Sequence, residues 1–112
     1  MTNRDFNILW GEALASHDRE VYIAEWATSS IFDPDPNAPA PDYDAVVETL
    51  GNIWDVAHMT FAEIRKHTGL NQAAFAERFC VSRRTVEGWE SRGSCPDHVR
   101  LMMAELLGLI SR

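Results

Sequence analysis

Apolar residues recur at three- and four-residue spacing along most of this chain, and that is the period of an α-helix. Phe6, Leu9, Trp10, Ala13 and Leu14 share one face, and Thr2 and Asp5 stand where a capping box would. Together they predict a helix over about 3–15. His17 to Arg19 break the pattern. A second helix over about 19–30 offers Val21, Tyr22, Ile23, Trp26 and Ile31 for burial. Two short amphipathic helices with a brief connection predict a helical hairpin over 1–32. Such a hairpin either caps the core or presents a docking surface to a partner protein. Residues 33–42 read DPDPNAPAPD and hold all but one of the five prolines. No helix or central strand runs through such a segment, so it is an acidic, Pro-rich linker stiffened by polyproline geometry. A third helix follows over about 43–58, with Val46, Val47, Leu50, Ile53, Trp54 and Ala57 along one side. Gly51 weakens it by about 1 kcal/mol relative to Ala, which a close helix crossing at that point would justify.

The second half has shorter periods and sharper punctuation. Thr60 followed by Glu63 forms a capping box ahead of a helix over 61–67, which Gly69 ends. Asn71 is placed as an N-cap, and Ala74, Phe75, Phe79 and Val81 turn inward. Cys80 and Val81 fall in a turn. Ser82 is a second N-cap, and a new helix turns Val86 and Trp89 inward while leaving Arg83, Arg84, Thr85 and Glu87 outside. After a turn at 92–96, a last helix over about 96–109 starts with Pro96 in its first turn. Val99, Met102, Leu106 and Leu109 are expected on its core face, leaving Leu101 and Leu107 as an exposed apolar surface suited to association.

Composition changes this picture in one respect. The net charge of −7 is unfavourable for a nucleic-acid binder, but it is unevenly spread. Residues 1–60 carry eleven Asp and Glu against Arg4 and Arg19, giving −9; residues 61–112 carry six acids against eight Lys and Arg, giving +2. Phosphate binding needs a local positive face rather than a positive molecule. Two Arg beside a Thr at the start of a short exposed helix suit DNA, because that end of a helix favours phosphate and Arg pairs bidentately with guanine. Arg83, Arg84 and Thr85 are therefore candidates for base contact, and Lys66, Arg78, Arg92 and Arg100 for phosphate.

Other chemistries find little footing. Cys80 and Cys95 do not make a disulfide scaffold. Cys95 and His98 have ligand-like spacing, but a structural zinc site needs four ligands and a fourth is not evident. No carboxylate pair, nucleophile elbow or phosphate loop points to an enzyme, so neither a metal nor a cofactor is expected. Without a run of eighteen apolar residues or a signal-peptide pattern, the chain is expected to be soluble and cytoplasmic, with no membrane partner.

The segments QAAFAERF (72–79), VSRRTV (81–86) and Trp89-Glu90 resemble the helix-turn-helix of the Cro/repressor (XRE) family of bacterial and phage regulators. The likeness covers about residues 60–110, roughly half the chain. It implies an all-α, lambda-repressor-like domain over 43–112, led by helix 43–58 and preceded by the hairpin and linker. It further implies a phosphate contact for Gln72, which would also brace the following helix, a phosphate contact for Ser82, and a structural salt bridge between Arg65 and Glu90. Two positions depart from the family pattern. Cys80 stands where a Gly with positive φ is usual, and Gly88 stands where many relatives present a side chain to DNA. The implied function is a sequence-specific transcriptional regulator, a repressor acting on double-stranded DNA as a homodimer at an inverted repeat. An alternative is the antitoxin of a toxin–antitoxin pair, which binds its own promoter and inhibits a partner protein through the acidic N-terminal region. A third reading makes the N-terminal half an acidic interaction module, mimicry of nucleic acid being one form it could take.

Overall fold

The computed structural model describes residues 1–112 and is all-helical, with seven helices and no strand. The helices divide into two units, Met1–His58 with Ile110–Arg112, and Met59–Leu109.

In the first unit, α1 (Asn3–Ala15) starts from a complete capping box: Asp5 N–H donates to the Thr2 hydroxyl, and Thr2 N–H to the Asp5 carboxylate. It buries Phe6, Leu9, Trp10 and Ala13. Next, α2 (Arg19–Trp26) is capped by Asp18, whose carboxylate accepts from Val21 N–H. It buries Tyr22 and Ile23, and the Tyr22 hydroxyl donates to Leu9 O at 2.8 Å. Val21, expected inside, is 59% exposed. Residues 21 and 23 lie about 200° apart around a helix, so they cannot both face one core. This helix ends at Trp26 rather than at 30, because Ser29 N–H and Phe32 N–H bond back only three residues and wind the chain into successive turns.

The third helix, α3 (Tyr43–Ala57), packs against both α1 and α2 and buries Val46, Leu50, Ile53, Val56 and Ala57. The sequence-based boundary at 43 joined this helix to the second domain; the contacts place it in the first unit, and the division falls at 58/59. The apolar stripe of α3 was legible, but a stripe does not say which neighbour it meets. His58 Nε2 lies 2.8 Å from Ala13 O, and its ring stacks on Trp54. The close approach at Gly51 is made by a side chain rather than by a crossing helix. Arg19 lies across the bare backbone, where a Cβ would stand 3.1 Å from its Cζ, and reaches Asp55 at 2.9 Å.

The second unit contains α4 (Phe61–Lys66), α5 (Gln72–Arg78), α6 (Arg83–Ser91) and α7 (Asp97–Leu106). Its core is Phe61, Ile64, Phe75, Ala76, Val86, Cys95 and Met103. The Phe61 ring meets Phe75 and Trp89 edge-on, at centroid distances of 5.2 and 5.0 Å, an arrangement favoured by the ring quadrupoles. Rotation of α7 differs from expectation. Met103 and Ala104 are buried, whereas Met102 is 65% and Leu106 69% exposed. The cause is Arg100, expected at the surface near phosphate but in fact buried. It donates to Met59 O at 2.7 Å and to Asp97 at 2.6 Å. A buried guanidinium needs such partners, and satisfying them turns the 100, 103, 104 and 107 face inward. Leu107 accordingly packs on the core instead of standing free. Pro96 precedes α7 as its N-cap residue rather than opening its first turn. At the other end, Gly108 with φ +72° closes the helix and Leu109 N–H bonds to Ala104 O.

Candidate nucleic-acid interface

The arrangement around α5 and α6 follows from their caps. Asn71 Oδ1 accepts from Ala74 N–H at 2.8 Å and opens α5. Phe79 closes α5; Cys80 follows at φ +56°, and Val81 N–H bonds to Ala76 O at 3.0 Å. This is a Schellman ending, in which the left-handed residue is ordinarily Gly. Cys80 is the one non-glycine residue of the chain with positive φ. Two residues later the Ser82 hydroxyl accepts from Thr85 N–H at 3.1 Å and opens α6. Four residues, 79–82, thus reverse the chain between the two helices.

Three side chains from three helices fix α6 from behind. Arg65 Nε donates to Glu90 Oε1 at 2.5 Å, and Gln72 Nε2 donates to Glu90 Oε2 at 2.6 Å. Arg65 Nη1 also donates to Leu70 O at 2.8 Å, which anchors the chain just before α5. The hydrogen bond from Arg65, followed by that from Gln72, holds the Glu90 carboxyl below its ordinary range, although burial opposes this. The Gln72 amide, assigned above to phosphate, is thus turned onto Glu90.

On the other side of α6, Val86 is fully buried while Arg83, Arg84, Thr85 and Glu87 are exposed. Arg83 Nε meets Glu87 at 3.1 Å in an exposed pair four residues apart, worth a few tenths of a kcal/mol at most. The Thr85 and Ser82 hydroxyls lie 2.7 Å apart, so both are engaged in the cap. Lys66 is exposed in the last turn of α4. Arg78 lies with Cζ 5.1 Å from the centroid of the Phe79 ring. Arg92 is the C-cap residue of α6, and its guanidinium folds back over Gly88. Seven candidates, Lys66, Arg78, Ser82, Arg83, Arg84, Thr85 and Arg92, are exposed. Gln72 is half-buried, and Arg65 and Glu90 are largely shielded.

Two features were missed in the sequence. One is the burial of Arg100, for which the three-residue spacing from Asp97 was the available signal. The other is an open apolar groove of about 440 Å³ on the second unit, lined by Phe79, Val81, Trp89, Val99, Met102 and Leu106 among others. Cys95 is buried, and that burial pushes its thiol up to about 11, well into the unreactive range. No three His, Cys, Asp or Glu side chains converge as a metal site would require, and no helix is long and apolar enough to cross a membrane. Comparison of the chain with family models, with curated proteins and with solved structures finds no match.

Proposed function

We propose that residues 59–109 form a helix-turn-helix domain of the Cro/repressor-like type, and that the chain is a sequence-specific DNA-binding transcriptional regulator, a repressor that acts as a homodimer. The observation that carries this reading is the outward face of α6. Arg83, Arg84 and Thr85 stand exposed at the start of a helix braced from behind by Arg65, Gln72 and Glu90. A helix braced in this way, with a positive N-terminal end, suits the major groove. Arg84 would contact a base and Arg83, once released from Glu87, a base or phosphate; Lys66, Arg78 and Ser82 would contact the backbone. Residues 33–42, expected as a linker between domains, connect α2 to α3 within the first unit and make a turn in which Ala38 N–H donates to Asp35 O. The exposed Met102 and Leu106, which line the apolar groove, offer a surface for the second copy.

Selection from a random duplex pool tests this. The expected product is an inverted repeat whose half-sites lie about one helical turn apart. Affinity should fall steeply between about 50 and 200 mM salt, because phosphate contacts release counterions. No enriched sequence, or a flat salt response, counts against the proposal.

A second reading, the antitoxin, draws on charge segregation. The first sixty residues carry −9, and Ile8 and Val21 stand exposed in that unit. A neighbouring gene whose product is toxic alone, and is neutralised on co-expression with this chain, would favour it.

A further inference from the structure

Position 88 lies on the outward side of α6, roughly 200° around the helix from the buried Val86. Four residues before it stands Arg84 and four residues after it Arg92, so 84, 88 and 92 form one stripe. Gly88 has no side chain there, yet it is buried. The group that covers it is Arg92: a Cβ built at 88 would stand 3.1 Å from Arg92 Cζ and overlap Nη2. The guanidinium has therefore come back about one helical turn along the face and occupies the place of the missing side chain. The backbone at Gly88 stays helical throughout, since its carbonyl accepts from Arg92 N–H and from the Ser94 hydroxyl. A glycine inside a short helix weakens it, and the flat seat it gives to a planar guanidinium is what the structure offers in return.

We propose, on the footing of the DNA-binding reading above, that Arg92 is a base-reading specificity residue of α6, seated through the bare surface of Gly88, and not only a phosphate contact. Its guanidinium lies over position 88, on the same stripe as Arg84 in the face that would enter the groove. A guanidinium so placed matches the O6 and N7 acceptors of guanine, which a lysine ammonium cannot match bidentately. The two arginines then read two base pairs of each half-site.

The test is the base-by-base preference of the full chain on its selected site, measured for the wild type, Arg92→Ala, Arg92→Lys, Gly88→Ala and the Gly88→Ala/Arg92→Ala double variant. Arg92→Ala should reduce discrimination at one base pair per half-site by about tenfold or more. Gly88→Ala should cause the same loss at the same base pair, because its Cβ displaces the guanidinium, while helicity and Tm hold or rise. The double variant should lose nothing further. Arg92→Lys should keep the salt dependence and lose the discrimination. A uniform fall in affinity with an unchanged preference profile would assign Arg92 to phosphate and overturn the inference. An unchanged profile and affinity would reduce Arg92 to a helix cap. A wild-type chain that enriches no sequence removes the DNA reading and this inference together, whereas a profile indifferent to Arg92 removes this inference alone.

Discussion

Arg65 and Glu90 tie the first helix of the second unit to the end of α6 through a contact of 2.5 Å, with only 16% and 14% of their side chains exposed. A shielded pair contributes orientation more than net stability, because desolvating both charges offsets most of their attraction. Removing one partner is a different matter. Arg65→Ala leaves the Glu90 carboxylate with Gln72 as its remaining bonded side chain and strips Leu70 O of its donor. The expected loss is about 3 kcal/mol, equivalent to a fall in Tm of roughly 12 °C or more for a domain of this size. Thermal unfolding followed by circular dichroism measures it. A Tm unchanged by the substitution would mean that the pair does not hold α6 in place.

The same pair makes stability depend on pH with a definite sign. The carboxyl of Glu90 is held lower in the folded chain than in the unfolded one. Its contribution is therefore complete above the unfolded carboxylate value of about 4.3 and is lost as pH falls through the lower folded value. Denaturant midpoints taken from pH 7 down to pH 3 should converge for the wild type and Glu90→Gln at the acid end. Parallel curves over that whole range would contradict the assignment.

Cys80 is held at φ +56°, a left-handed conformation that costs a residue with a Cβ about 1–2 kcal/mol. Cys80→Gly should relieve that strain and lose part of the gain to the greater freedom of the unfolded chain. The net expectation is a stabilisation of about 0.5–1 kcal/mol, with Cys80→Ala close to the parent. Urea denaturation of the three proteins decides the point. Equal destabilisation by Gly and Ala would show that the thiol, rather than the backbone, matters at this corner.

This corner also shows what the sequence could disclose. The caps Thr2, Thr60, Asn71 and Ser82 were legible because each acts over three residues. The inward placement of Phe75 and Val86 was legible because helical period determines it. Arg65 and Glu90, twenty-five residues apart, were paired through the family resemblance and not through any local signal. The face of α7 was misread because its apolar residues crowd more than one side. The residue that decides among those sides is Arg100, a charged group that bonds to Asp97 nearby but also to the carbonyl of Met59, forty-one residues away. Likewise, nothing in the letters around Gly88 says that Arg92 folds back to cover it.

The association surface follows from that corrected face. Sequence spacing offered Leu101 and Leu107, but the large apolar side chains most exposed on α7 are Met102 and Leu106, which line the groove together with Phe79, Val81 and Val99. Two copies that meet there would bury both side chains, each worth about 1.5–3 kcal/mol on full burial. Introducing a carboxylate at the contact would instead require desolvating an unpaired charge. Met102→Asp and Leu106→Asp should therefore shift the chain from dimer to monomer in sedimentation equilibrium without lowering its helicity. Binding to a selected inverted repeat should weaken while binding to a single half-site is retained, because each α6 still carries its own Arg83 and Arg84. If both variants remain dimeric, the second copy sits on another face. If the wild type is already monomeric at micromolar concentration and on its DNA, the homodimer itself falls.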